Sequence, residues 1–210
     1  MVNIKHTSKK SLSLLIFLFA IHLNIFSQNP NPNSALDAFI QDEMETERLP
    51  GVSTIIVKDG EIVWLESYGY ADIENNILVQ DSTVFLLASI SKIFTGTAAM
   101  QLHENETLHL DDDINNFLPW NIANPNYPNQ TITFRQLMAH TSSIQDNGFA
   151  MESYYDYPDP SISLSDCMQR YFSTSGIDYD PFDNFLNDAP ATAYEYSNMA
   201  TALNGYLVER

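Results

Sequence analysis

The sequence predicts an α/β (α+β) protein in which an antiparallel sheet lobe precedes a helical lobe. Three observations carry that prediction. Residues 52–58 and 61–68 are rich in β-branched and aromatic side chains and flank Asp59-Gly60, a strong two-residue hairpin signal. Residues 35–48 place Leu36, Phe39, Ile40 and Met44 at helical spacing. Beyond Asp81 the alternating pattern gives way to short helix-like segments separated by Asn-, Pro- and Asp-rich connections.

Taken in order, residues 1–27 read as a secretory signal peptide. Lys5, Lys9 and Lys10 form a basic start, residues 12–26 are apolar, and Ile25-Phe26-Ser27 offers a cleavage site before Gln28. The apolar run is shorter than the roughly 20 residues a membrane span needs. The expectation is an exported protein, periplasmic or secreted, with no membrane span after cleavage. Residues 28–34 form a polar, proline-broken linker. The remainder, 35–210, is expected to be one domain, with a sheet lobe over 35–82 and a mostly helical lobe over 83–210.

The formal charge of the whole chain is −18. The leader carries three lysines and no acid, so the rest carries −21, with six basic residues against 27 acidic ones. Such a surface repels phosphate backbones and excludes nucleic acid as a partner. Cys167 is the only cysteine, which rules out an internal disulfide, and its setting in LSDCMQRYF reads as a structural thiol on a helix.

Residues 85–102, FLLASISKIFTGTAAMQL, hold one formally charged side chain, Lys92. Ile90, Ile93, Phe94, Ala98 and Leu102 recur at helical spacing, so the expectation is that this face is buried. Ser89 and Lys92 stand three apart, neighbours on one side of a helix. A hydroxyl beside an amine in apolar sequence can form an activated serine, since desolvation and a helix N-terminus both favour a neutral lysine. On its own the S-x-x-K match is weak, expected by chance in roughly one such chain in six. Further on, 108–119 reads as a turn and short helix, 121–130 as loop, 133–139 as a short helix, and 154–160 and 178–190 as long acidic, aromatic connections. Tyr196-Ser197-Asn198 opens a final helical run. No segment after the hairpin reads as a convincing strand to cover its edges, and the last run lacks a Gly or Asn cap. The chain therefore reads as the N-terminal portion of a larger unit.

Residues 85–92, 102–119, 134–142 and 194–209, with their ordered motifs SISK, LDDDINNFLP, RQLMAHTSS and YSN, resemble the serine β-lactamase and penicillin-recognising hydrolase family, above all its class C-like branch. The resemblance implies a β-lactamase/transpeptidase-like fold whose C-terminal strands and helix are missing from this chain. It implies Ser89 as acylated nucleophile, Lys92 as its proton acceptor, Tyr196 as partner base and leaving-group acid, and Asn198 as a substrate-side hydrogen-bond donor. The implied substrate is a small molecule or peptidoglycan-like compound: an ester, a β-lactam or a D-amino-acid peptide. No cofactor and no metal is implied. Three departures stand out: no K/H-[ST]-G strand motif follows, Ser143 occupies a position usually held by Gly, and no Gly precedes the Tyr196 motif in the customary place.

Other readings are weaker. A Ser/His/Asp triad on His140 lacks a G-x-S-x-G elbow. A calcium loop starting at Asp111 would need Gly at 116 and Glu at 122, where Asn116 and Ile122 stand, so His103, His109 and the three aspartates read as a solvated turn. The alternative to an enzyme is an inactive remnant or ligand-binding module of the same fold.

Overall fold

The structure is a computed structural model, and it describes residues 29–155 and 160–210. The expected signal peptide and part of the 154–160 connection lie outside the described residues. The chain divides into two compact units, one ending at Leu86 and the other spanning Leu87–Arg210.

In the first unit, helix α1 (Ser34–Glu47) starts at Asn33, whose side chain accepts the Ala35 and Leu36 N–H groups. Arg48 closes it in the left-handed region, φ 56°. Leu36, Ile40 and Met44 are half-buried along one stripe, whereas Phe39 is 60% exposed and does not join them. Strands β1 (Gly51–Lys58) and β2 (Glu61–Asp72) pair antiparallel across Asp59-Gly60. Both turn residues have positive φ, 53° and 81°, as the tight hairpin geometry requires. The register shifts between Ile56 and Val57, which face Trp64 and Ile62. The Tyr68 hydroxyl donates to Asp37 Oδ1 at 2.7 Å, fastening α1 to β2. Gly69 has no alternative: a Cβ there would sit 2.3 Å from the Pro50 carbonyl oxygen at φ 70°.

One expectation about the sheet needs correction. A third strand, β3 (Ile77–Leu78), pairs with β2 through Tyr70↔Leu78 and Asp72↔Ile77. Two residues carry no readable alternation. The strand exists because the 72–76 turn, with Asn75 bonded twice to the Asp72 carboxylate, folds it back.

The second unit is helical. A 3₁₀ turn (Ala88–Ile90) leads into α2 (Ser91–Glu104); a 3₁₀ turn (Ile114–Phe117), α3 (Phe134–Met138), α4 (Gly148–Glu152), α5 (Leu164–Phe172) and α6 (Asn198–Glu209) follow. Thr133 and Gln136 form a reciprocal capping box at the start of α3. The core gathers Ile114, Ile132, Phe134, Leu137, Met168, Tyr171, Phe172 and Phe185 around the inner face of α6. That face carries Met199, Ala200, Leu203, Tyr206 and Leu207, all buried, so α6 is the central helix of this unit.

The buried face of α2 differs from the expected one. Ala99 is fully buried and Leu102 packs on the core, but Ile90, Ile93 and Phe94 are 56%, 67% and 65% exposed. Periodicity shows that a helix has an apolar side, not which neighbour covers it. Here α2 turns its small residues toward α6: a Cβ added at Gly205 would meet Thr95 Cγ2 at 3.6 Å. Among the described residues of this unit, nothing covers the Ile90–Ile93–Phe94 side.

Irregular segments are held by buried polar side chains. Asn184, fully buried, donates from Nδ2 to the Tyr171 and Asp178 carbonyls and accepts from Asn147, which ties the 178–190 connection to the core. Asn124 does the same for the 121–130 loop through Leu186 O and Ser143 Oγ. Among the described residues, no helix is long and apolar enough to cross a membrane.

Candidate active site

The site is assembled within the second unit. Ser89 sits in the 3₁₀ turn just after Ala88, whose φ of 46° lies in the left-handed region. Such backbone is costly for a residue with a Cβ and recurs where a side chain must be aimed. Lys92, one turn on, reaches back so that Nζ donates to Ser89 Oγ at 3.2 Å. This is the neighbour relation that S-x-x-K spacing predicts.

The other side arrives by backbone pairing. The Ala191 and Glu195 N–H groups donate to the Thr141 and His140 carbonyls, at 2.7 and 2.9 Å, laying the 191–197 segment beside the segment after α3. Tyr196 then projects its hydroxyl to 2.7 Å from Ser89 Oγ. Ser197 caps α6 by accepting the Ala200 N–H, and Asn198, the first helical residue, accepts from Lys92 Nζ through Oδ1 at 2.6 Å. The structure therefore brings Ser89, Lys92, Tyr196 and Asn198 into one cluster.

Lys92 is the cation of the cluster. Lys92 Nζ also lies 4.8 Å from the Tyr196 ring centre, and no carboxylate pairs with it among the described residues. The Lys92 ammonium beside the phenol, together with the Ser89 hydroxyl bonded to it, holds Tyr196 below the ordinary tyrosine range. Ser89 and Tyr196 both face solvent.

Two residues of the site lie outside the four that the resemblance implies. The His140 ring lies tilted against Tyr196 at 4.7 Å between centroids, and its Nδ1 accepts the Ser197 N–H, so the neutral ring carries its proton on Nε2. Burial, then the Lys92 charge, lowers the His140 pKa, with Asp146 opposing. Asp146 is the second: its carboxylate accepts from Ser197 Oγ, the Asn198 and Met199 N–H groups, and Asn198 Nδ2. No local pattern marks an aspartate that serves a helix 52 residues away.

The aspartates after α2 have local partners. Asp111 pairs in two-pronged fashion with Arg135 at 2.6 and 2.9 Å, Asp112 accepts the His109 N–H, and Asp113 caps the second 3₁₀ turn. A cavity of about 600 Å³ lies in the first unit between α1 and the β2–β3 pair. Ser67 and Tyr68 on its wall donate to Asp81 and Asp37.

A serine held by a lysine one turn on and by a tyrosine from the loop before a core helix defines a chain of the β-lactamase/transpeptidase-like class. Solved structures of that class superpose on it. The octameric penicillin-binding protein homologue from Pyrococcus abyssi matches with a TM-score of 0.63 and 27% identity, over 83% of this chain and 38% of its own. A class C beta-lactamase matches with a TM-score of 0.59 and 22% identity, over 82% of this chain and 42% of its own, and a tyrosine-to-phenylalanine mutant of a class C beta-lactamase with a TM-score of 0.58 and 22% identity, over 82% of this chain and 41% of its own. Protein flp of Staphylococcus aureus is 30% identical over 174 residues, 83% of this chain and 32% of that protein. The Beta-lactamase family profile matches residues 36–210, and the chain belongs to that family. It spans about a third of the length of these curated relatives.

Proposed function

We propose that the protein is an exported serine hydrolase that works through an acyl-serine intermediate on an ester, a β-lactam or a D-amino-acid peptide. The observation that carries the reading is Ser89 Oγ lying at once 2.7 Å from Tyr196 OH and 3.2 Å from Lys92 Nζ. The chemistry follows from those contacts. Ser89 gives its proton to Tyr196 in its phenolate form, the nearer acceptor and the form that Lys92 stabilises. The resemblance gave that first transfer to Lys92; the two distances favour Tyr196, with Lys92 as its electrostatic partner. Oγ then adds to the substrate carbonyl, and the Ser89 backbone N–H supplies one oxyanion donor. Collapse of the tetrahedral adduct breaks the bond to the leaving group, which takes the proton back from Tyr196. The regenerated phenolate then takes a proton from water, the hydroxide adds to the acyl carbonyl, and collapse breaks the Oγ–acyl bond to release the acid while Tyr196 returns the proton to Ser89 Oγ. With Asn198 Oδ1 on Lys92 and one Nδ2 hydrogen on Asp146, its second Nδ2 hydrogen is the donor offered to substrate. The basic, apolar leader supports export.

The test is acylation of the full-length protein by p-nitrophenyl acetate and by a fluorescent penicillin, with the adduct mapped by mass spectrometry. The expected result is an adduct on the Ser89 peptide, absent in Ser89→Ala. Tyr196→Phe should slow its formation by about 10²–10⁴ without lowering Tm. A folded protein that forms no adduct overturns the hydrolase reading, and reversible binding that survives Ser89→Ala supports a ligand-binding module instead. Export is checked by N-terminal sequencing of the extracytoplasmic protein, expected to begin at Gln28.

A further inference from the structure

We propose that Asp146 is a positioning residue of this site, whose carboxylate locks the Asn198 side-chain amide in the one orientation that turns its carbonyl toward Lys92. The lock itself rests on geometry; its catalytic consequence rests on the acyl-serine reading above.

Asp146 Oδ1 accepts the Ser197 hydroxyl at 2.9 Å and the Met199 N–H at 3.0 Å. Oδ2 accepts the Asn198 main-chain N–H at 3.0 Å and Asn198 Nδ2 at 2.7 Å. An ionised carboxylate offers about four lone-pair sites and no donor, so all four are filled. Three of these contacts belong to the start of α6, where a negative charge also complements the helix dipole. The fourth reaches the side chain that carries the chemistry.

An amide has two faces of opposite character. With Nδ2 on Asp146, Asn198 Oδ1 faces Lys92 Nζ at 2.6 Å. Turned over, the amide would set its oxygen against a carboxylate and its N–H groups against an amine that donates. The first clash persists whatever the charge on Lys92, because Asp146 has only acceptors. Asn198 therefore keeps taking one Lys92 N–H while the neighbouring phenol and hydroxyl exchange protons. With one N–H so engaged, Nζ stays aimed at Ser89 Oγ and beside Tyr196.

Asp146 also acts through its charge. Tyr196 is faced by Lys92 from α2, Ser89 from the 3₁₀ turn before it and His140 from the segment after α3, with the Asp146 carboxylate behind Asn198. Lys92 and Ser89 favour the phenolate, whereas Asp146 opposes it. Neutralising Asp146 lowers the pH at which Tyr196 ionises, a change that loss of a helix cap alone does not produce.

The experiment compares wild type with Asp146→Asn, Asp146→Glu and Ser197→Ala in the full-length protein. Ser197→Ala weakens the same helix start but leaves Oδ2 on Asn198. The first readout is independent of turnover: the Asn198 side-chain amide protons in ¹⁵N-edited NMR, assigned through Asn198→Ser. The expected result is a downfield, exchange-protected proton in wild type that moves to a solvent-like position in Asp146→Asn and persists in Ser197→Ala. An amide signal that Asp146→Asn leaves unchanged overturns the lock.

The second readout is acylation by p-nitrophenyl acetate as a function of pH. Asp146→Asn is expected to slow acylation by about tenfold to a hundredfold, the size found for groups that orient a metal-bound histidine, with KM little changed. Its acid limb should move to lower pH, and Asp146→Glu should recover part of the rate. Equal slowing in Asp146→Asn and Ser197→Ala, with the limb in place, overturns the positioning role in favour of a plain cap. A wild-type protein that shows the protected amide yet forms no acyl adduct overturns the hydrolase reading and supports the lock.

Discussion

The His140 imidazole lies against the Tyr196 ring, 4.7 Å between centroids at an interplanar angle of 36°, while its Nδ1 takes the Ser197 N–H at 3.2 Å. One side chain thus braces both the candidate base and the cap of the helix that follows it. That bond needs an unprotonated Nδ1, so the brace exists only while the ring is neutral. His140 reaches this position from a left-handed backbone, φ 56°, and its own carbonyl accepts the Glu195 N–H.

The brace makes stability depend on pH. Burial and the Lys92 charge hold His140 below the ordinary histidine range, so on acidification the unfolded chain takes up the proton first. The contribution of His140 is full above about pH 6.5 and is lost as pH falls through the folded value. His140→Asn, which tolerates the left-handed backbone and does not titrate, should show a smaller loss of Tm between pH 7.5 and 5 than wild type. Thermal melts across that range check it; parallel curves for the two proteins would contradict the assignment.

Ser143 carries a different tension. It is buried, adopts φ 60°, and accepts from Asn124 Nδ2 at 3.0 Å. Glycine there would relieve about 1 kcal/mol of left-handed strain and give up a hydrogen bond of similar worth. Alanine would lose the bond and keep the strain. Urea titration should therefore place Ser143→Gly close to wild type and Ser143→Ala about 1 kcal/mol below both. The reverse order would mean that neither strain nor the Asn124 bond governs this turn.

Cys167 should be inert. Burial on α5 pushes its thiol up to about 11, Arg170 opposing weakly. At pH 8 roughly one thiol in a thousand is then ionised, against about one in four for an unperturbed cysteine. Alkylation by iodoacetamide should run about two orders of magnitude slower in the native protein than in urea, as followed by intact mass. Equal rates would place the thiol in the open.

Much of the fold was legible because it is local. The Asp59-Gly60 hairpin, the short helix α3 and the helix carrying Cys167 each depend on residues within a few positions of one another. Strand β3 was not legible, since two residues have no period. The exposed Ile90, Ile93 and Phe94 were misjudged because helical spacing reports an apolar side without naming what packs on it. The candidate site divides the same way: Ser89 and Lys92 meet through three-residue spacing, while Tyr196 and Asn198 were placed beside them only by motif resemblance.

By itself the sequence determined the hairpin, most of the helical segments, the S-x-x-K turn and the acidic character of the chain. Near-neighbour sterics, capping and charge count decide these, and they do not depend on the rest of the molecule. Tertiary structure decided what Ser89 touches 107 residues away, which face of α2 packs, and that Asp146 and His140 belong to the site. Those contacts exist because the buried face of α6 fixes the helix, and with it Tyr196 and Asn198, against the start of α2. Packing of that kind is a property of surfaces in three dimensions, and no spacing along the chain encodes it.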